Sequence, residues 1–411
     1  MIKNTFEFIQ EKNFYYKITF LLFAIFPIGF LTGNFVINSL IILLSFSFLF
    51  KSLVEKNFYF AKSIFFWALL LFWLSLLINL FFSLDHNLSQ LRVIKFFFII
   101  IFIFSLANFI NERKFIFESK VISIWLVIYV IVIFDLCFEY ILGYNILGFT
   151  SIIPGRLSSF MGDELVIGYF FSGFSLLSLT FLYYKKISNT YLLVISIFLI
   201  FVSLLIGERS NFIRTFLMIC AFLFIVDSIS IKKKILSLVV LIISLIVFVN
   251  FNDNYKKRFY DQITHYGIKN YYYNSIYGVH YDTAYQMFKE NKIFGVGIKN
   301  FRAESKKYNG TNNKYRFDLN RSTTHPHQLH FELLSETGIF GYFYFILFMI
   351  FSIYLSIKNF VENKNYFQLS SIIFILTSLI PFLPSGSFFT TYSSSLFWLH
   401  YAIMIGYNQK S

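Results

Sequence analysis

The feature that most constrains this chain is the recurrence of long apolar runs along nearly its whole length. Each run holds about 16 to 22 residues, enough for a helix to cross a hydrocarbon core of roughly 30 Å. Because 57% of the residues are hydrophobic and only 14% are charged, the composition excludes a soluble globular domain. The sequence predicts an all-α polytopic membrane protein of about twelve transmembrane helices. These lie near 15–33, 34–50, 64–83, 96–110, 121–142, 166–184, 191–206, 212–227, 235–250, 339–357, 366–382 and 391–406.

Lysine and arginine are distributed unevenly between the two sides of these runs. Seventeen fall in one alternating set of segments, from Lys3 to Lys410, whereas the opposite short connections hold five. Cytoplasmic loops collect positive residues, so we expect both termini in the cytoplasm. The other thirteen lie in one long loop, expected outside the cytoplasm between spans 9 and 10. The predicted organisation is nine spans in 1–250, the loop in 251–338 and three spans in 339–411.

The net charge of +14 would suggest a nucleic-acid partner in a soluble protein. Here half of the positive residues are accounted for as topology determinants at the cytoplasmic face. We therefore expect membrane lipids as partners and no nucleic acid. Cys137 and Cys220 lie within predicted spans, where a free thiol behaves as a small hydrophobic group.

The most polar segment next to a predicted span is Thr323–Gly341, which contains three histidines, two glutamates and two glycines. Pro326 suits the first turn of a helix and Gly338 suits its end, so a short helix is predicted between them. Such a helix would carry His327 on one face with the apolar residues that follow it. Glu336 would lie near the end of the helix, where a carboxylate is unfavourable, so we expect it to have a specific partner.

The spacing His325-x-His327-x-x-His330 could serve a metal ion, because imidazole is a common ligand. However, Pro326 and the helical geometry would separate the first two rings, and no Asp-x-Asp or cysteine pair supports them. We expect neither a metal nor a cofactor. A single histidine beside an apolar face is also often structural, and that alternative stays open for His327.

Several arginines lie at the predicted extracytoplasmic ends of spans. The guanidinium group donates paired hydrogen bonds and keeps its charge, which suits a phosphate or diphosphate ligand. Simpler roles remain open, since Arg209 could pair with Glu208 or cap a span and Arg156 could be an ordinary loop residue. The candidate phosphate-binding residues are Arg156, Arg209, Arg214 and Arg321.

The long loop carries two local signals. Apolar residues at helical spacing predict a helix over Tyr281–Glu290, lying on the membrane surface or on the bundle. Gly295 and Gly297 favour a tight backbone turn within Phe294–Phe301. No Walker-type Lys-Ser/Thr follows this turn, so it is weak as a phosphate loop.

The run His327-Gln328 followed by Glu336-x-Gly338-x-x-Gly341 resembles the signature of the O-antigen ligase and O-antigen polymerase superfamily. In that family a histidine and a polar residue precede Glu-x-Gly-x-x-Gly at the start of a span. The glycine turn of Phe294–Phe301, the pair Arg209-Ser210 and the segment Arg156–Glu164 resemble further family segments. The likeness extends over roughly 150–400. Gln328 is a departure, because asparagine is usual there, but both amides can fix a histidine or bind a sugar hydroxyl.

The resemblance implies a GT-C-like glycosyltransferase of the bacterial inner membrane whose active site faces the periplasm. Such an enzyme moves a glycan from undecaprenyl diphosphate without a metal. His327 would accept the proton of the attacking hydroxyl, and Arg209 would act with it at the diphosphate. Arg156, Arg321, Arg214, Gln328 and Glu336 would bind substrate.

Three activities are compatible with these features. We favour an O-antigen ligase, which transfers the glycan to lipid A core oligosaccharide in lipopolysaccharide biosynthesis. An O-antigen polymerase would instead use a second lipid-linked glycan as acceptor, and such enzymes tend to have two sizeable extracytoplasmic loops. A lipid-linked oligosaccharide flippase would line a path with cations inside several spans, yet the predicted span interiors are almost free of charge.

Overall fold

A computed structural model describes residues 14–162, 164–264 and 270–408. All regular secondary structure in these ranges is helical. Lys3, Lys12 and Lys410, used above to orient the chain, and Asp163 lie outside them. The principal helices are α1 (Phe14–Ala24), α2 (Phe26–Thr32), α3 (Asn34–Val54), α4 (Ile64–Phe81), α5 (His86–Glu112), α6 (Lys114–Leu142), α7 (Ile167–Tyr184), α8 (Asn189–Leu205), α9 (Arg209–Ile225), α10 (Ile231–Phe251), α11 (Ile276–Glu290), α12 (Leu329–Asn363), α13 (Tyr366–Ser378) and α14 (Thr391–Gly406).

Seven of the described helices are long and apolar enough to cross a membrane, namely α3, α4, α5, α6, α7, α10 and α12. The pair α1 and α2, bent by 41° between them, brings the number to eight if the two form one span. Helices α8 and α13 are apolar but shorter. Each of the twelve predicted runs overlaps a helix, and the all-α membrane class is confirmed. The count of twelve spans and the three-part division of the chain stay predictions.

The centre of the bundle is formed by α5 and α14, which pack against each other. Both are apolar around most of their circumference, as expected for helices surrounded by other helices. Trp398 of α14 is fully buried and contacts Phe96 of α5, with ring centroids 5.3 Å apart. By contrast α10 is almost entirely exposed, and its apolar surface is suited to lipid.

The described residues between α10 and α12 form α11 and several short helical turns. The helix predicted over Tyr281–Glu290 is confirmed as part of α11, which begins earlier because the Ser275 hydroxyl accepts a hydrogen bond from the Gly278 amide. Shorter helical turns lie on either side, at Asp253–Lys256, Lys257–Asp261, Gln262–Thr264, Tyr271–Asn274, Phe301–Glu304, Ser305–Tyr308 and Asp318–Asn320.

The helix predicted between Pro326 and Gly338 is wrong at both ends. Helix α12 begins only at Leu329, because Gln328 caps it by accepting a hydrogen bond from the Phe331 amide at 3.0 Å. His327 therefore precedes the helix, in a left-handed backbone conformation with φ 57°. Gly338 does not end α12 but interrupts it, with φ 64° and ψ −170°.

The predicted glycine turn binds to this interruption through its backbone. Val296 and Gly297 amides donate to the carbonyls of Ser335 and Glu336, each at 2.9 Å. In the other direction, the Phe340 amide donates to the Ile293 carbonyl at 3.1 Å. These bonds compensate for those that α12 loses at Gly338. The turn and the break thus form one unit.

Gly338 allows a test of this unit, because a Cβ atom there would overlap the backbone of Ile293 and Gly295. Gly310 has the same left-handed φ but only the Leu319 side chain nearby, at 3.7 Å. Alanine at a positive φ costs about 1–3 kcal/mol, towards the upper end at Gly338 because its ψ of −170° is nearly exclusive to glycine, and overlap should add about 1–3 kcal/mol at Gly338 alone. Thermal unfolding in detergent should have a clearly lower midpoint for Gly338→Ala than for Gly310→Ala. Equal midpoints would contradict the close approach.

Candidate functional site

Three histidine rings lie together where α11 meets the loop before α12. The His327 ring centroid lies 4.0 Å from that of His325 and 5.4 Å from that of His280. His280 belongs to α11 and is separated from the other two by more than forty residues of sequence. Its participation was not predicted, because its spacing in the sequence contains no motif.

The backbone of His327 is held in place by the connection between α13 and α14. The Ser385 amide donates to the His327 carbonyl at 2.8 Å, and Thr323 Oγ1 lies 3.5 Å from His327 Nε2. A left-handed conformation is uncommon for histidine, and residues held this way are concentrated at functional sites. The imidazole is thereby placed by contacts on both sides and not by the helix.

Burial and, to a smaller extent, the neighbouring His325 lower the pKa of His327 to about 3. Burial is also the main reason that the pKa of His325 and that of His280 fall to about 4, with smaller effects from Lys299 and His327 respectively. All three imidazoles are neutral at pH 7. A neutral imidazole is able to accept a proton.

His330 has a different environment from the three clustered histidines. Its Nδ1 lies 3.1 Å from the Tyr342 hydroxyl and its Nε2 lies 2.8 Å from the Leu379 carbonyl, which occupies both ring nitrogens. Across the described ranges, no three His, Cys, Asp or Glu side chains are arranged to hold a metal ion. His325, His327 and His330 therefore do not form the ligand set that their spacing suggested.

Arginines from three separate connections meet at a second cluster. The Arg258 Nε and Nη2 atoms donate to the Gly207 carbonyl at 3.1 and 2.9 Å, and Arg209 Nη1 lies 3.4 Å from the Arg258 carbonyl. Burial lowers the pKa of Arg258, and the like charges of Arg156 and Arg209 lower it further. The three guanidinium groups are thus within electrostatic reach of one another, which favours an anionic ligand.

Glu208 offsets part of this positive charge. Its carboxylate lies 3.2 Å from Arg156 Nη2 and also accepts hydrogen bonds from the Gly168 amide and the Asn211 side chain. Arg156 is thus held against the starts of α7 and α9. Within the part of the chain that the structure describes, no carboxylate pairs with Arg209 or Arg258. In these described ranges, Arg209 and Arg258 therefore carry positive charge that no paired carboxylate neutralises.

Tyr277 connects the arginine cluster to the histidine cluster. Its ring centroid lies 5.9 Å from that of His327, and the charges of Arg209 and Arg156 act on its phenol. Burial raises the pKa of this phenol more than the arginines lower it, so Tyr277 stays a hydrogen-bond donor. The arginine cluster and a neutral imidazole therefore lie on either side of one tyrosine.

Two of the predicted phosphate ligands are engaged elsewhere. Arg321 is fully buried, and its Nη1 and Nε atoms lie 2.7 and 2.6 Å from carboxylate oxygens of Asp282 and Asp318. Arg214 is also buried, and its Nη1 donates to the Asn211 side chain at 2.6 Å. The ion pairs of Arg321 hold the loop before α12 against α11. Arg214 contacts the arginine cluster indirectly, because Asn211 is bonded both to Arg214 and to Glu208.

Gln328 and Glu336 likewise position the backbone. Gln328 is buried and caps α12, as described above. Glu336 has the specific partner expected of it, since its Oε1 accepts a hydrogen bond from the Phe301 amide at 3.3 Å. Both side chains hold the backbone of segments next to the histidines, and both are buried.

Arg258 and Tyr277 were missed by the sequence analysis. Both lie in the polar, tyrosine-rich stretch at 252–277, where neither spacing nor a motif distinguishes them. The signal that was available is the concentration of positive charge in a single long loop. This concentration of charge does not indicate which of the thirteen positive residues lies at the site.

Residues 192–346 match the family model described as O-antigen ligase. The match spans α8 to the first half of α12 and includes Arg209, Arg258, His280 and His327. Arg156 lies before it. A comparison with curated proteins finds no match.

Arg321 and Arg209 should respond differently to truncation. Arg321→Ala leaves the buried carboxylates of Asp282 and Asp318 without their cation, a change that typically costs about 3–5 kcal/mol. Arg209→Ala removes a half-buried cation that has no carboxylate partner in the described ranges. We expect thermal unfolding in detergent to show a large loss of stability for Arg321→Ala and a small change for Arg209→Ala. A wild-type midpoint for Arg321→Ala would return this residue to the list of ligand-binding candidates.

Proposed function

Through residues 192–346 the chain belongs to the O-antigen ligase and polymerase superfamily, and we propose that it is a ligase-type glycosyltransferase. It moves a glycan from undecaprenyl diphosphate to lipid A core oligosaccharide on the periplasmic face of the inner membrane. The observation that carries this proposal is the neutral His327 joined through Tyr277 to the cations of Arg209, Arg258 and Arg156.

The arginine cluster is the binding site for the donor diphosphate. Arg209 and Arg258 supply two positive charges, and Arg156 supplies a third that Glu208 partly offsets. Guanidinium groups bind phosphate oxygens through paired hydrogen bonds. Charge develops on the leaving phosphate oxygen as its bond to the sugar breaks, so fixed cations stabilise the transition state more than the ground state.

His327 is the base in this reaction. The acceptor hydroxyl oxygen forms a bond to the anomeric carbon of the transferred sugar while the bond from that carbon to the diphosphate oxygen breaks. The hydroxyl proton passes to the imidazole, and the electron pair of the broken bond leaves with undecaprenyl diphosphate. Neither step requires a metal or a cofactor.

The low pKa of His327 in the free protein is consistent with this role. Burial disfavours the imidazolium form, but a diphosphate bound nearby favours it and raises the pKa. The base is therefore strengthened when the donor is in place. Proton transfer is then coupled to the presence of the leaving group.

A polymerase is the second candidate, because two separate segments outside the predicted spans reach the cluster. Arg156 comes from the α6–α7 connection and Arg258 from the segment after α10. Two sizeable segments are a tendency of polymerases. The chemistry at the donor is the same in both cases, so only the acceptor distinguishes them.

A deletion strain separates the two candidates. Loss of a ligase should remove every O-antigen band from a lipopolysaccharide gel, because no glycan reaches the lipid A core. Loss of a polymerase should leave a single-repeat band. The ligase assignment predicts the first pattern, and complementation with the wild-type chain should restore the ladder. A surviving single-repeat band would identify the protein as a polymerase.

Replacement of the base tests the mechanism. His327→Ala should lower glycan transfer by about a hundredfold or more, the range for loss of general-base catalysis. His86→Ala, at an exposed histidine at the start of α5, is the matched control and should leave transfer unchanged. Transfer from purified undecaprenyl-diphosphate donor is measured at equal protein, with and without EDTA. Inactivation of the wild-type protein by EDTA would show that a metal is required.

The pH dependence of kcat/KM reports the free enzyme. Because burial lowers the pKa of His327 to about 3, the imidazole stays unprotonated as the pH falls from 7 to 5. The acidic limb should therefore lie well below pH 6.5, the usual value for histidine. A limb centred near 6.5 that disappears in a His327 variant with residual activity would contradict the buried, neutral base.

A further inference from the structure

A cavity of about 500 Å³, with both aromatic and charged residues in its lining, lies at the end of the bundle opposite to the histidines. It is lined by residues from the α5–α6, α7–α8, α9–α10 and α12–α13 connections. The histidine and arginine clusters use the connections that alternate with these. The cavity therefore faces the side that the lysine distribution predicts to be cytoplasmic.

Lysines dominate the charge of this cavity. Lys114, Lys186 and Lys364 line it, and all three residues are exposed. Among the described lining residues Glu118 is the acidic one; it is buried, accepts a hydrogen bond from Asn365 at 2.8 Å and lies within electrostatic reach of Lys114. Three lysines against one glutamate leave the described lining with a net positive charge, which favours an anion.

The backbone holds two of these lysines in fixed positions. Lys186 follows the end of α7 and Lys364 follows the end of α12, both in the left-handed conformation with φ 57° and 51°. Asn189 and Asn365 add amide groups between the lysines.

The size of the cavity and its position restrict the ligand. A volume of about 500 Å³ is in the range of small-molecule sites and is much larger than an inorganic phosphate requires. Its place at the predicted boundary between hydrocarbon and cytoplasm gives access to lipid headgroups. Basic pockets between membrane helices on the cytoplasmic side suit phosphate-bearing headgroups. We propose that this cavity binds the headgroup of an anionic phospholipid through Lys114, Lys186 and Lys364.

This site lies at the opposite end of α12 from the histidine cluster. Lys364 caps α12, whose first residue directly follows the His327-Gln328 segment. A lipid held by Lys364 and by Lys114 of α6 ties these two helices together. Lipid binding should accordingly raise the thermal stability of the whole chain, whether or not the proposed transferase activity is correct.

The test compares two triple variants of the full chain purified in detergent. The cavity variant is Lys114→Gln, Lys186→Gln and Lys364→Gln. The control variant is Lys56→Gln, Lys232→Gln and Lys233→Gln, which removes three exposed lysines that the same sidedness rule places in the cytoplasm but that do not line the cavity. Each protein is titrated with phosphatidylglycerol, phosphatidylcholine and inorganic phosphate, and retained lipid is counted by native mass spectrometry.

We expect the wild-type and control proteins to retain phosphatidylglycerol in preference to phosphatidylcholine and to be stabilised by it. The cavity variant should bind it at least about tenfold more weakly, since each lysine near an anionic headgroup contributes appreciably. A variant with arginine at all three positions should restore binding. This result would show that misfolding does not cause the loss of binding in the cavity variant. Equal losses in the cavity and control variants would overturn the site. Equal stabilisation by inorganic phosphate would overturn the lipid assignment.

Discussion

The structure depends on the backbone bonds that join residues 292–297, which contain the two glycines of the turn, to the break in α12 at Gly338. The Asn79 side chain of α4 donates to carbonyls on both sides of this junction, at Phe294 and Glu336. Asn300, three residues beyond the turn, is bonded in turn to the α4–α5 connection. The long segment before α12 is thus fastened to the membrane bundle at its C-terminal half. The position of this segment, including that of His327, therefore depends on this junction.

Two opposite electrostatic environments follow from this anchoring. Burial among rings keeps the three imidazoles neutral. The arginines, in contrast, donate most of their hydrogen bonds to backbone carbonyls and not to carboxylates. Cations beside cationic histidines would repel one another, so neutral histidines make the proximity of the two clusters possible. Tyr277 shares both environments. A site of this kind can bind a doubly charged leaving group and still hold an unprotonated base.

The sequence predicted the membrane class, the helix in the long loop and the glycine turn, because each depends on local pattern or on a motif. It placed His327 on a helix because Pro326 is a good first-turn residue, but the Gln328 cap and the contact from Ser385 decided otherwise. Arg321 was predicted to bind phosphate. Its buried ion pairs with Asp282 and Asp318 depend on tertiary contacts, which a sequence pattern does not reveal. His280, Tyr277 and Arg258 reach the site only through the path of the long segment, which a single sequence does not specify.

The central claim is that the two clusters together break a sugar–diphosphate bond. It is tested most directly by incubating the purified protein with labelled glycan on undecaprenyl diphosphate and with lipid A core acceptor, and by following both products. The account predicts labelled acceptor and released undecaprenyl diphosphate in equal amounts, and a loss of both when Arg209 and Arg258 are replaced together in a protein that remains folded. Transfer at the wild-type rate by that double variant would contradict it.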